Sequence, residues 1–266
     1  METYETVVYE KRGRVAYITL NRPTSLNAMN IRMHEELRYV WDDFEADRHI
    51  LLGVLTGVGS RAFSSGQDLR ELRERYLVGH NASSFGSRGG PGFPRLTERL
   101  NMSKPLIARV NGIAVGGGFE LALACDLIVA AEHAKFSLPE AKLGLVPGAG
   151  GLFRLTRQIP SRTALGYLMT GREMSATRAF ELGLVNDVVP FDALDACVGA
   201  WVDDVLGCSP SSLRSIKSVI ASSSHLPLEE AFYKHYPAED FRIAGNDCRE
   251  GPLAFAEKRP PKWTDS

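Results

Sequence analysis

Three glycine-rich turns constrain this chain most, because each falls where an apolar strand should hand over to a helix. They are 63–69 (FSSGQDL), 111–120 (NGIAVGGGFE) and 144–151 (GLVPGAGG). At such a junction the first N–H groups of the helix have no internal partner, and glycine lets another atom approach them closely. Two such turns brought together would offer paired N–H donors to one developing negative charge.

The surrounding pattern is that of a layered α/β fold. Residues 7–10 and 15–20 read as two strands about the turn Lys11-Arg12-Gly13, and 51–56 as a third, buried one. Between them a helix should start near Asn30, a good N-cap, with Met33, Leu37, Val40, Trp41 and Phe44 recurring on one face. Strand then helix follows at 106–110 and 117–125, and again at 127–131 and 151–157. No fixed sequence period links these units. Residues 76–94 are rich in Gly, Ser and Asn, bury little apolar surface, and read as a mobile loop. After Pro190 the pattern turns helical, with breaks at Ser209-Pro210 and Leu226-Pro227. The expected division is therefore a layered core over 1–195 and a helical region over 196–266.

Composition removes several classes of function. With 44% apolar residues the chain can bury a full core, and 31 basic against 32 acidic residues leave a net charge of −1. No general field draws it to nucleic acid or to a lipid surface, so any anion must be held locally. The four cysteines, Cys125, Cys197, Cys208 and Cys248, form no CxxC pair, which predicts neither a disulfide framework nor a zinc site but reduced thiols in the cytoplasm. The first 20 residues show no leader pattern, and no apolar run approaches the roughly 18 residues of a membrane span. Gly116-Gly117-Gly118 lacks the GxGxxG spacing, no glycine turn ends in Gly-Lys-Ser/Thr, and no G-x-S-x-G elbow is present. Dinucleotide, P-loop and serine-hydrolase readings are thereby weakened. None of the six histidines falls in a motif, and His133 reads as a surface residue.

Two acids stand beside the turns. Glu120 follows the glycine triplet inside an otherwise apolar stretch, and Glu140 follows Pro139 in a later turn. A single glutamate is ordinarily a solvated charge, but a lone acid in an apolar segment points to burial with a purpose.

The stretch NGIAVGGGFELALACDLIVAAEHAKFSLPEAKLGLVPGAGGLFRLTR resembles the signature of the crotonase (enoyl-CoA hydratase/isomerase) superfamily. NRPTSLNAMN, RAFSSGQDL, MTGREMSATRAFELGLVNDVVP and EGPLAFAEKRPPKW extend the likeness over nearly the whole chain. The combination of GGGFELALA, SLPEAKLG and EGPLAFAEKR is similar to carnitinyl-CoA dehydratases and their enoyl-CoA hydratase neighbours.

This resemblance implies a crotonase-like α/β fold of stacked ββα units with a C-terminal helical trimerisation region, assembled as a homotrimer or homohexamer. It implies reversible hydration of a 2-enoyl-CoA, with carnitinyl-CoA dehydration or enoyl-CoA isomerisation as alternatives. An RNA-binding relative is the rival outside catalysis, and the charge balance argues against it. By motif, the backbone N–H groups of Gln67 and Gly117 would form the oxyanion hole, and Glu120 and Glu140 would hold the reacting water. Leu26, Ala28, Ser64, Gly66, Asp68, Leu69 and Gly116 would line the CoA ester site, with Phe255 and Lys258 reaching CoA from a neighbouring subunit. No metal and no cofactor beyond the substrate's own coenzyme A is implied. Thr24 and Ser25 stand where relatives often carry a basic residue near the CoA phosphates, and Gln67 stands where hydratases more often carry a small one.

Overall fold

The computed structural model describes residues 4–79 and 95–265, so the expected loop lies outside the described residues from position 80 to 94. Ten strands run in chain order: β1 (Val7–Arg12), β2 (Val15–Leu20), β3 (Leu52–Gly57), β4 (Ala62–Ser64), β5 (Leu106–Val110), β6 (Ile113–Val115), β7 (Leu127–Ala131), β8 (Lys135–Ser137), β9 (Met174–Ser175) and β10 (Asp187–Val189). They form a six-stranded sheet in the order β1-β2-β3-β5-β7-β10 and a four-stranded sheet in the order β4-β6-β8-β9. Only β1/β2 and β8/β9 pair antiparallel. The first hairpin closes through Gly13 and Arg14 alone, since Arg12 pairs with Val15. Lys11 and Arg12 thus continue the strand rather than forming the turn, because Gly13 supplies the left-handed conformation (φ +56°) that a two-residue loop needs.

The helices are α1 (Ile31–Ala46), α2 (Leu69–Leu77), α3 (Gly117–Ala124), α4 (Gly151–Gln158), α5 (Ser161–Thr170), α6 (Ala176–Glu181), α7 (Leu194–Leu206), α8 (Pro210–Ser223), α9 (Leu228–Tyr233), α10 (Pro237–Ala244) and α11 (Asp247–Ala256). Asn30 caps α1 by accepting from the Met33 N–H at 3.0 Å, and the stripe from Met33 to Phe44 is buried as its spacing predicts. Three times a strand of the large sheet is followed by a short strand of the small sheet and then a helix: β3-β4-α2, β5-β6-α3 and β7-β8-α4. These are the ββα units. The short strands escape a sequence reading because three residues carry no legible alternation. Helix α2 escapes it because none of its residues is buried, and it carries the start of the expected loop, Tyr76 and Leu77, in helical form.

Two buried amides fix β4, which leads into the first glycine-rich turn. Asn27 and Asn111 both donate to the Ala62 carbonyl, at 2.8 and 3.1 Å. Asn111 also donates to Gly59 O (2.6 Å) and accepts from the Gly57 N–H (3.2 Å). Asn27 adds a bond to Val58 O and accepts from the Arg22 N–H. Below them lies a core of Trp41, Phe44, Phe63, Phe119 and Phe136, all fully buried, with the Phe119 and Phe136 rings 5.1 Å apart.

The described residues divide into two compact units, one within Met1–Arg99 and Leu106–Gly199, the other within Leu100–Pro105 and Ala200–Ser266. In the second unit α8 packs on α10, where Ser215 donates to Glu239 at 2.7 Å. Ser209 caps α8 and donates to the buried Asp247, which also accepts from the Thr264 N–H at 2.8 Å. Trp263 donates to Gly207 O at 2.8 Å, so the last residues are stitched into this unit. Ile216, Ile220, Phe232, Phe241 and Ile243 stay exposed.

Asn111→Ala removes partners from Gly57, Gly59 and Ala62 at once. Its expected cost is about 1–3 kcal/mol, the usual penalty for stranding buried polar groups, measured as a lowered urea midpoint with unchanged m-value. A midpoint equal to that of the parent protein would show that the amide does not hold the β3–β4 turn.

Candidate active site

The site grows from the end of β4. Ser64 is fully buried, and its hydroxyl donates to Asn27 O (2.8 Å) while accepting from the Gly66 N–H (3.1 Å). Gly66 then takes φ +87°, and a Cβ there would stand 2.7 Å from Val115 O, so the turn admits only glycine. The Met29 N–H donates to Gly66 O (2.7 Å) and the Asp68 N–H donates to Met29 O (2.9 Å). These bonds bracket Gln67 and leave its own N–H outside the pairing.

The second turn meets the first. Gly116 at φ +54° sends its N–H to Ser137 O (2.9 Å), and α3 begins at Gly117, whose N–H belongs to the unpaired first turn. A Cβ on Gly117 would lie 3.7 Å from the Gln67 nitrogen, which shows how closely the two glycine turns approach. Among the described residues neither N–H donates to a protein acceptor. Their partial positive charge adds to that of the helix terminus.

Both predicted acids join this place. Glu120 lies one turn into α3, only 3% exposed, and its Oε1 accepts from the Gly151 N–H at 2.8 Å. Burial raises its proton affinity above the ordinary carboxylate range, opposed by the N–H groups of Gly151 and Ala149 and by the charges of Arg154 and Arg95. Glu140 opens the 3-10 turn Glu140–Leu143, and its Oε1 lies 3.1 Å from where a Cβ of Gly116 would be. Its Oε2 is buried without a hydrogen-bond partner among the described residues. Burial pushes its pKa up to about 7, offset in part by its own N–H and reinforced by the negative charge of Glu120.

The other predicted residues divide into groups. Leu26, Ala28, Ser64, Gly66 and Asp68 share one tight loop pair: Leu26 O accepts from the Ser65 N–H (3.0 Å), and Ala28 O from Arg22 (2.7 Å). Arg22 also ion-pairs with Asp68 (2.9 Å), which caps α2 through the Arg70 and Glu71 N–H groups. The polar side chains of Ser64 and Asp68 are thus engaged in building the loop. Leu69 is half exposed beyond them. Phe255 and Lys258 belong to the second unit, at the end of α11, with Phe255 87% exposed. His133 is exposed and its ring contacts Ser60 O at 2.9 Å.

Three residues of the neighbourhood have no sequence motif to announce them. Arg154 straps the third glycine turn, donating to Thr97 O (2.7 Å) and Ala149 O (3.4 Å). His34, on α1, meets the Gln67 side-chain carbonyl at 3.4 Å, and burial with the nearby Arg95 and Arg75 charges holds its pKa down to about 3, so the ring is neutral. Arg95 stands at the start of the 3-10 turn Leu96–Glu98, which packs on α3. Among the described residues no three His, Cys, Asp or Glu side chains are grouped to hold a metal ion, and no helix is long and apolar enough to cross a membrane.

Comparison with known proteins agrees with this geometry. The family model for enoyl-CoA hydratase/isomerase matches residues 10–266. Carnitinyl-CoA dehydratase of Escherichia coli K12 is 39% identical over 266 residues, covering 97% of this chain and 98% of that protein. The crystal structure of enoyl-CoA hydratase from Mycobacterium tuberculosis H37Rv superimposes with a TM-score of 0.87 at 36% identity, covering 98% of this chain and 99% of the other. That of enoyl-CoA hydratase from Bacillus anthracis gives 0.89 at 33% identity, covering 98% and 100%. With its ββα units, its facing glycine turns and a family match over nearly its full length, the chain belongs to the enoyl-CoA hydratase/isomerase family of the crotonase superfamily.

Proposed function

We propose that this hydro-lyase catalyses the reversible addition of water to a 2-enoyl-CoA thioester, giving a 3-hydroxyacyl-CoA. The observation that supports the reading is a buried acid, Glu120, and a half-buried one, Glu140, beside two N–H groups that have no protein acceptor among the described residues. The thioester oxygen accepts from Gln67 and Gly117. As water attacks Cβ, the conjugated electrons move onto that oxygen, and donors already in place stabilise the enolate more than the substrate. Glu120 takes a proton from the attacking water, and Glu140 delivers one to Cα. Dehydration runs the same steps backwards, with Glu140 as base and Glu120 as acid. Coenzyme A enters as part of the substrate, and no further cofactor is invoked. The direct test is loss of the conjugated absorbance of crotonyl-CoA; absence of that loss, with interconversion of 2- and 3-enoyl esters, would replace hydration by isomerisation.

Assembly completes the reading. The apolar side chains exposed on the second unit support burial against further copies, as a homotrimer or homohexamer. Phe255 and Lys258 are assigned to the CoA of a neighbouring copy. None of the four cysteines forms a disulfide among the described residues, which supports a cytoplasmic setting.

Glu120→Gln and Glu140→Gln should each lower kcat by roughly 10²–10⁴-fold while binding of a CoA ester persists. Turnover at the parent rate in either variant would remove that residue from the chemistry.

The pKa of about 7 at Glu140 sets one pH limb shared by both directions. Hydration starts with the pair's one proton on Glu140 and dehydration with it on Glu120; water addition takes up no net proton, so kcat/KM in both directions should fall in parallel as pH rises through about 7 and the pair loses that proton. Stability follows the same sign. A folded-state pKa above the ordinary 4.5 means that ionisation opposes folding, fully so above about pH 7 and not at all well below 4.5. Glu140→Gln should therefore raise Tm at pH 8 and leave it unchanged at pH 4. Absence of a limb near pH 7, or a Tm gain independent of pH, would contradict this assignment.

Lys258→Ala tests the neighbouring-subunit contact without unstitching the C-terminal residues. KM should rise for a CoA ester and stay level for the corresponding pantetheine ester, with light scattering confirming an unchanged oligomer. An equal rise for both ligands would count against a nucleotide contact.

A further inference from the structure

One cation near Glu120, Arg95, has no protein hydrogen-bond partner among the described residues. Arg95 precedes the buried Leu96 and Thr97, whose turn packs on α3 and whose Thr97 carbonyl is held by Arg154. The residue therefore stands beside the helix that carries Glu120. Its charge acts on Glu120 from α3, Arg75 from α2 and Glu98 in its own turn, and also on His34 from α1. The turn that Arg95 opens packs on α3, and this charge is felt by Glu120 on that helix. A guanidinium offers five N–H donors, and among the described residues Arg95 gives none of them to a protein acceptor.

Gln67 points the same way chemically. His34 meets its side-chain carbonyl at 3.4 Å, so the acceptor end of the amide is engaged, while among the described residues its NH₂ end has no protein acceptor. The backbone N–H of the same residue belongs to the proposed oxyanion pair, so this amide is rooted at the reacting end of the acyl group. A purely apolar acyl chain would leave both the amide and the guanidinium unpaired on burial, at a cost in free energy. A quaternary ammonium, the group carried by a carnitinyl ester, would in addition meet the like charge of Arg95. A carboxylate takes donors of both kinds, and pairs with a guanidinium through two parallel bonds.

We propose that the acyl pocket takes a 2-enoyl-CoA whose far end carries a carboxylate, held by the Arg95 guanidinium with help from the Gln67 side-chain amide. This rests on the hydratase reading and names the substrate class for the same site. It separates this chain from the substrate named for its 39%-identical relative.

Three esters differing only in the group on C4 provide the test: crotonyl-CoA with hydrogen, glutaconyl-CoA with a carboxylate, and crotonobetainyl-CoA with a trimethylammonium. The protein should hydrate glutaconyl-CoA with the highest kcat/KM, at least about 10-fold above crotonobetainyl-CoA, the scale of one charge-assisted hydrogen bond. Arg95→Met should cut the glutaconyl-to-crotonyl ratio of kcat/KM by about 10- to 100-fold, mainly through KM, and Arg95→Lys should keep part of it. Because the readout is a ratio within one protein, a general loss of activity in the variant does not move it. Measurable crotonyl-CoA hydration with no carboxylate preference, or a ratio unmoved in Arg95→Met, overturns the carboxylate assignment and leaves the hydratase reading intact. Should the variant not fold, the ranking of the three esters by the unaltered protein decides alone. No turnover of any of the three overturns the hydratase reading, and the assignment with it.

Discussion

The site depends on one close approach between backbones. The end of β4 and the start of α3 come so near that a Cβ on Gly118 would stand 2.2 Å from Ser64 O, and one on Gly66 would stand 2.9 Å from the Gly117 nitrogen. Any side chain at either position would force the segments apart. With glycine at both, the Gln67 nitrogen comes within 3.7 Å of where a Cβ of Gly117 would lie. Donors fixed by strand and helix cost little reorganisation when charge develops. The ββα repeat is what delivers them: β4 and β6 are neighbours in the small sheet, so the turns that follow them are neighbours too.

The same burial that positions the acids sets their proton affinities apart. Glu120 is the more enclosed of the two, yet the Gly151 and Ala149 N–H groups and two arginines favour its charge. Glu140 is less enclosed, but its buried Oε2 has no partner among the described residues and the Glu120 charge lies nearby, which favours its proton. Burial raises the proton affinity of both, that of Glu140 to about 7, and the two titrate as a coupled system rather than independently.

Much of this was legible in the sequence, and the parts that were not share a physical cause. Asn30 and the Met33-to-Phe44 stripe announce α1 because cap and period agree. The glycine turns and Glu120 are legible because a charge inside GGGFELALA contradicts its surroundings. The strands β4, β6 and β8 are too short to show a period, and α2 has no apolar face to show. Asp68 caps α2 through two N–H groups, a signal present in the sequence that the loop-like composition downstream obscured. His34, Arg95 and Arg154 were invisible for another reason. Their meaning comes from groups 33 residues away or more in the case of His34 and Arg154, and no local pattern encodes such a pairing.

These arrangements carry costs that the rest of the first unit offsets. Leu26 and Asn27 both adopt left-handed backbone conformations, at φ +51° and +56°, an unfavourable choice for leucine above all. The conformation persists because its surroundings over-determine it. Leu26 O accepts from Ser65, Asn27 O accepts from the Ser64 hydroxyl, and the Asn27 amide binds two carbonyls of the β3–β4 turn. Each of these bonds also fixes the loop that presents Gln67. Local strain at 26–27 and an unpartnered carboxylate oxygen at Glu140 are thus unfavourable features of the kind found at sites shaped for chemistry. The buried amides of Asn27 and Asn111 help make both tolerable: they hold β4 where its turn meets the start of α3.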